Sequence, residues 1–291
     1  MYMKKMACAL LSLACLWTVG AGSGQARPKP IRLVKAWETD TTLRTPESVL
    51  YDPAQNLLYV ANIDGKPDAL DGNGFISTLS TDGKITKLHW ASGLNAPKGM
   101  GLHGNKLYVT DVYRLVLINT ETGQAEKTWD AVDVKTAFLN DVTVAKDGTV
   151  YVSDNRNDKL YRLKDGNWEV WMEGGTIGKP NGVLALGNDK LLIGSTKTGA
   201  LQELDVKSKA VTKLADGMGN TDGIAVARKK SYFVSDWNGQ IFQVDAGGKA
   251  TQLLDLRADK INTADLTAIP AQRLLVVPTF YHNRVIAYRW E

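Results

Sequence analysis

The chain has 291 residues, a formal net charge of +4, 44% hydrophobic residues and only two cysteines, Cys8 and Cys15, both close to the N-terminus. That distribution excludes thiol chemistry and Cys-ligated metal sites from the rest of the chain. A near-balanced charge gives no reason to expect nucleic acid or an anionic membrane as partner, which leaves a small molecule as the expected ligand.

The first segment reads as an export signal. Lys4 and Lys5 form a basic start, Met6 to Val19 is a mostly apolar run, and small residues lead to a cleavage position after Ala26. The run is too short to span a bilayer, so a signal peptide is expected over residues 1–26, with no membrane association afterwards. A lipoprotein alternative at Cys15 lacks the usual aliphatic residue, since Ser12-Leu13-Ala14 precedes it. The expected product is a periplasmic or secreted monomer of residues 27–291. It carries net charge +2, because the two lysines are lost without any acidic residue.

After the signal one unit recurs: a turn residue, a polar residue, a small residue, an apolar strand, a tight turn and a second strand. Its copies begin Pro46-Glu47-Ser48-Val49, Pro97-Lys98-Gly99-Met100, Leu139-Asn140-Asp141-Val142, Pro180-Asn181-Gly182-Val183, Thr221-Asp222-Gly223-Ile224 and Ala264-Asp265-Leu266-Thr267. Counted at the second residue, the spacings are 51, 42, 41, 41 and 43. Two more strand-like runs follow in each, as in Lys159–Leu163 and Asn167–Trp171. Four strands in one period is a propeller blade, so the expected fold is all-β, a six-bladed β-propeller of antiparallel four-stranded blades. A β-sandwich would give no reason for six near-equal periods. The first spacing is long because a Gly/Asp/Pro-rich insert, Asp64 to Gly74, separates two strands. With Asp64, Asp68 and Asp71 it lacks the EF-hand spacing and reads as a solvated loop or lid.

The last unit has only three strands, Asp265–Ile269, Leu274–Val277 and Arg284–Trp290, while residues 31–37 form a spare strand at the other end. Pairing the spare strand beside 284–290 would close the ring and leave no open sheet edge.

In a propeller the first strand of each blade lines the axis. The repeat's second residue therefore brings Glu47, Lys98, Asn140, Asn181, Asp222 and Asp265 to one end of the channel. Asn and Asp at strand starts can simply cap backbone amides. Glu47 is not a turn residue, however, and converging buried carboxylates repel unless a cation or donors compensate. The donor types suit calcium, with Glu47, Asn140, Asn181 and Asp222 offering four oxygens. Zinc is disfavoured, because His89, His103 and His282 fall at different points of their repeats.

These units, in this order and spacing, resemble the senescence-marker-protein/gluconolactonase/luciferin-regenerating-enzyme family over roughly residues 31–291. The resemblance implies that Glu47, Asn140, Asn181 and Asp222 hold a catalytic divalent cation. It also implies a hydrolase acting on a lactone or ester, with Asp222 and Glu47 as the candidates for the chemistry and Asp222 as base or nucleophile. Two departures stand out. Asn95-Ala96-Pro97-Lys98-Gly99 replaces the Asn-Asp-Gly segment of gluconolactonases, and the histidine pair of paraoxonases has no counterpart. The form Pro-x-Gly-hydrophobic also occurs in non-catalytic NHL-type propellers, so a binding or scaffold propeller is the alternative.

Loops after each second strand should open on the ring's face. They bring Asn62, Tyr113, Asn155, Arg156, Lys197, Trp237, Asn238, Tyr281 and His282 to the mouth. Of these, Tyr113, Arg156, Trp237 and Tyr281, together with Lys98 and Asp265, are the expected substrate contacts. His282 could act as a base, although a lone histidine is more often a packing or surface residue. Lys98 fits a metal poorly: at about 6 Å from a divalent ion the repulsion is about 5 kcal/mol at an effective dielectric of about 20. The expected escape is that Lys98 turns toward Asp265 or the solvent; the alternative is that its ammonium takes the place of the cation.

Overall fold

Every second residue of a repeat strand faces one neighbouring blade and the residues between face the other, so both sets are apolar. Leu58 and Val60 pack with Val276, Val285 and Ala287 of the last blade. Tyr59 and Ala61, between them, pack with Met100, Leu107 and Val109 of the second. The same arrangement runs round the molecule as six inter-blade clusters. The computed structural model describes residues 31–291, and these form six antiparallel four-stranded sheets. Three 3-10 turns are the helical segments among the described residues, and none is long and apolar enough to cross a membrane. The expected signal over residues 1–26 lies outside the described residues.

The ring closes as the terminal strands predict. Leu33–Glu38 pairs antiparallel with Val285–Trp290, from Leu33 opposite Trp290 to Glu38 opposite Ile286. Two backbone bonds between Arg32 and Glu291 fasten the end of the pairing. The innermost strand of the last blade is shorter than expected, Thr267–Ile269. Asp265 instead bridges to blade one: its N–H donates to the Glu47 carbonyl at 3.0 Å, and its carbonyl accepts from the Val49 N–H at 3.2 Å.

The inner strands of blades one to five carry an extra residue at the ring position. Blade three steps from Leu139 opposite Asp154 to Val142 opposite Val152. Blades two, four and five do the same between Pro97 and Met100, Pro180 and Val183, and Thr221 and Ile224. A bulge of this kind re-aims the residue it carries, and here it turns the second residue of each repeat toward the axis. The third residue is small for a different reason. A Cβ on Gly182 would collide with the Asp222 carbonyl oxygen, and one on Gly223 would lie 2.7 Å from the Asp265 Cα. Overpacking between two backbones cannot be relieved by a rotamer change. Gly182→Ala should therefore lower stability by about 2–3 kcal/mol in urea unfolding. Gly247→Ala, on an exposed turn, should stay within about 0.5 kcal/mol of the parent.

Candidate active site

The second strand of blades two, three and five ends in a hydroxyl residue followed by Asp, and these two residues set the ring. Ser153 Oγ donates to the Asn181 carbonyl at 2.7 Å, and Ser235 Oγ to the Ala264 carbonyl at 2.9 Å, each reaching the next blade. Thr110 Oγ1 does the same to Asn140. The Asp that follows accepts backbone N–H groups of the segment entering its own blade: Asp111 from Asn95 and Ala96, Asp154 from Phe138, Asp236 from Asn220. Asn62 plays this part in blade one, accepting from the Arg44 N–H. Backbone on both sides of each ring residue is thus pinned, leaving the ring side chain to point inward.

Glu47, Lys98, Asn140, Asn181 and Asp222 line one cavity of about 320 Å³. All five are buried, at 4%, 1%, 7%, 6% and 2% exposure. Glu47 Oε2, Asn140 Oδ1, Asn181 Oδ1 and Asp222 Oδ1 are buried acceptors without a hydrogen-bond partner. Each unsatisfied buried group costs about 1–3 kcal/mol, so four acceptors in one cavity are an unusual concentration of unmet hydrogen-bonding capacity. Among the described residues no three His, Cys, Asp or Glu side chains converge as a metal cluster. The ring's two carboxylates and two amide oxygens instead form a donor set for a hard, oxygen-seeking cation such as calcium, and the set fits that ion.

The two ring carboxyls are strongly perturbed. Burial pushes the Glu47 carboxyl well above the usual range, Asp222 and Asp265 push it further, and Lys98 opposes them. Burial likewise raises Asp222, with Asp265 and Asp236 adding to it.

Asp265 does not join this cavity. Its backbone is drawn to blade one, and its carboxyl accepts from Ser48 Oγ at 2.6 Å. Asp141 and Asp265 face a second cavity of about 590 Å³ at the far end of the channel, walled by apolar residues such as Val144, Leu184 and Val226. Burial raises the Asp265 carboxyl to about 6, offset by its bond to Ser48.

Lys98 turns to neither Asp265 nor the solvent, and it takes no carboxylate within ion-pair reach among the described residues. Its Nζ donates to the Ala96 carbonyl at 3.0 Å and lies 4.4 Å from the centre of the Phe138 ring. The aromatic face and the carbonyl hold the ammonium aside from the ring, an arrangement not visible in the spacing of the repeats.

Of the expected contacts at the mouth, Trp237 and Tyr281 line the cavity. They form an aromatic wall with Phe280, whose backbone is held left-handed at φ 50°. Arg156 sits at the rim, 4.8 Å from the Phe138 ring and 3.4 Å from Asp68. That ion pair draws the insert of blade one toward blade three, and Pro67 of the insert lines the cavity, as a lid would. Tyr113 packs instead between hydrophobic clusters, because the turn beside it has Val112 left-handed at φ 58°. His282 is exposed and outside the lining. Asn155, also expected at the mouth, lines the cavity too, and Phe138, Thr196, Asn220 and Phe280 complete the wall. Phe138 and Asn220 stand two residues before a ring position, the signal by which they could have been found.

Six blades thus surround an axial cavity lined by one Glu, two Asn and one Asp with open oxygens. Residues 45–279 match the SMP-30/Gluconolactonase/LRE-like region, and the chain belongs to that family. Among solved structures it is similar to a gluconolactonase from Xanthomonas campestris, at 16% identity and TM-score 0.71 over 90% of each chain. A putative gluconolactonase shares 18% identity at TM-score 0.66, over 91% of this chain and 93% of that one. A virginiamycin B lyase from Staphylococcus aureus shares 12% identity at TM-score 0.60, over 89% of this chain and 99% of that one. No curated protein sequence gives a significant match. At these identities the structural likenesses establish the fold.

Because Glu47 and Asp222 are raised, these two groups hold more protons in the folded, metal-free protein than in the unfolded chain. The protein's stability should therefore fall as pH rises from the ordinary carboxylate range through the raised values. Urea midpoints in chelator should be higher at pH about 5 than at neutrality. Asp222→Asn should flatten this slope and raise stability at neutral pH. A wild-type midpoint that climbs over the same interval, with the variant parallel to it, would refute the assignment.

Proposed function

We propose that the protein is an exported, calcium-dependent hydrolase of the gluconolactonase type that opens a lactone or ester at the propeller axis. The observation that carries this reading is the set of four orphaned oxygens in one cavity beside an aromatic wall. Glu47, Asn140, Asn181 and Asp222 would hold the ion, which when bound supplies a Lewis acid to polarise the ester carbonyl. The Asp222 carboxylate, its basicity raised by burial, is the candidate to take the proton of the attacking water. Trp237, Phe280 and Tyr281 pack the apolar part of the substrate. Pro67 and the loop behind it narrow access for bulk water, which strengthens each polar contact inside.

Export fits this reading, since oxygen-ligated calcium sites of modest affinity suit extracytoplasmic calcium levels. A lyase reading would follow the Staphylococcus aureus neighbour, whose His→Ala variant is described as catalytically inactive. None of the three histidines here lines the cavity. The scaffold reading gives no account of four buried acceptors left without donors.

Calcium at about a hundredfold excess over its Kd should stabilise the wild type by about 2.7 kcal/mol, and Asp222→Ala should lose that gain. Equal shifts in both proteins would remove the metal assignment. Turnover of a panel of lactones and aryl esters should disappear with chelator and return with calcium. Glu47→Gln should lower kcat/KM by about a hundredfold or more. Tight calcium binding with no turnover across the panel would leave the binding propeller as the function.

A further inference from the structure

Lys98 is the one ring residue that cannot be a ligand for a cation, and its surroundings leave its charge unspent. It is 1% exposed and lines the cavity beside Glu47 and Asp222. The ammonium has three N–H groups, of which one goes to the Ala96 carbonyl and the Phe138 ring faces the charge. The anions that act on it are Glu47, Asp111 and Asp68. Asp111 is taken by Arg114 at 2.8 Å and by the Asn95 and Ala96 N–H groups. Asp68 is taken by Arg156. With a divalent ion on the ring, Glu47 and Asp222 are taken as well. Two carboxylates then match the two charges of the ion, and Lys98 remains as a buried, uncompensated cation. Such a charge is costly unless a ligand completes it.

From this charge balance and from the placement of Arg156 over the same Phe138 ring, we infer that the substrate is an anion. It is a lactone or ester bearing a carboxylate or comparable acidic group, received by Lys98 with Arg156 at the rim. The inference deepens the hydrolase reading and rests on its metal. The cavity's two sides then have distinct tasks. Blades two and three present Lys98, Phe138 and Arg156 to the acidic group, and blades five and six present Trp237, Phe280 and Tyr281 to the hydrocarbon part. A neutral sugar lactone would leave the ammonium unpaired.

The test is binding, measured by calorimetry on the calcium-loaded protein with two isosteric cyclic ketones that cannot be hydrolysed: 4-oxocyclohexanecarboxylate and its primary amide. Wild type should bind the acid at least about tenfold more tightly than the amide, as for a hydrogen bond to a charged group. Lys98→Met should erase that preference while leaving amide binding within about threefold. Arg156→Gln, at a half-exposed site, should reduce the preference by about threefold. No preference in the wild type overturns the inference. A preference that survives in Lys98→Met also overturns it, because the ion alone would then be holding the carboxylate. Should Lys98→Met fail to fold, a structure of the wild-type complex decides: the carboxylate must lie within hydrogen-bond reach of Lys98 Nζ. Turnover of the matching lactone carboxylate is scored separately. Selective binding without turnover would remove the hydrolase reading and leave the anion subsite standing.

Discussion

The structure depends on how closely the inner strands approach one another around the axis. Gly99, Gly182 and Gly223 lie where a Cβ would meet the backbone or side chain of the next blade. At that spacing the carbonyl of one inner strand is within reach of a hydroxyl from the blade before it, as Ser153 reaches Asn181 and Ser235 reaches Ala264. The bulges follow from the same crowding. One extra residue per inner strand lets the chain stay paired with its own blade while the ring side chain turns inward. Close packing of backbone thus creates the site, and the site's chemistry is decided by which polar residue stands on each bulge.

That arrangement concentrates like charge. Burial raises the proton affinity of Glu47, Asp141 and Asp222, and the Asp265 carboxylate adds to it at each of the three. Two different solutions operate along one axis. Asp265 accepts from the Ser48 hydroxyl and Asp141 from the Val183 N–H, while Asp141 Oδ1 stays without a partner. Glu47 and Asp222 face the other cavity with oxygens left open, as do the amide oxygens of Asn140 and Asn181. The Ser48 hydroxyl serves Asp265, whereas the four open oxygens of the other cavity have the donor chemistry on which the proposed cation site rests. The break in six-fold symmetry at Asp265 separates the two, because its backbone pairs with Glu47 and Val49 instead of continuing its own strand.

The cavity wall is asymmetric in a way that fits selective recognition. Cationic groups gather near Phe138, and the aromatic cluster stands across the axis from them. The insert from blade one reaches over this space through Pro67 and is tied at its tip by Asp68 to Arg156. Arg156 therefore joins the insert to the Phe138 side of the cavity.

Much of this was written in the sequence. Six near-equal periods gave the blades, the spare strand at residues 31–37 gave the closure, and the second residue of each repeat gave Glu47, Asn140, Asn181 and Asp222 as one constellation. Repeats are legible because each blade solves the same packing problem, so the same residue types return at the same interval. The tertiary structure alone decided what breaks the repeat. Asp265 left the ring because blade one captured its backbone, Tyr113 was turned into the core, and Lys98 was held by the Ala96 carbonyl and the Phe138 ring. Those outcomes depend on contacts between residues far apart in the chain. A periodic pattern fixes where a residue enters the site, while the partners it meets there are set by the neighbouring blades.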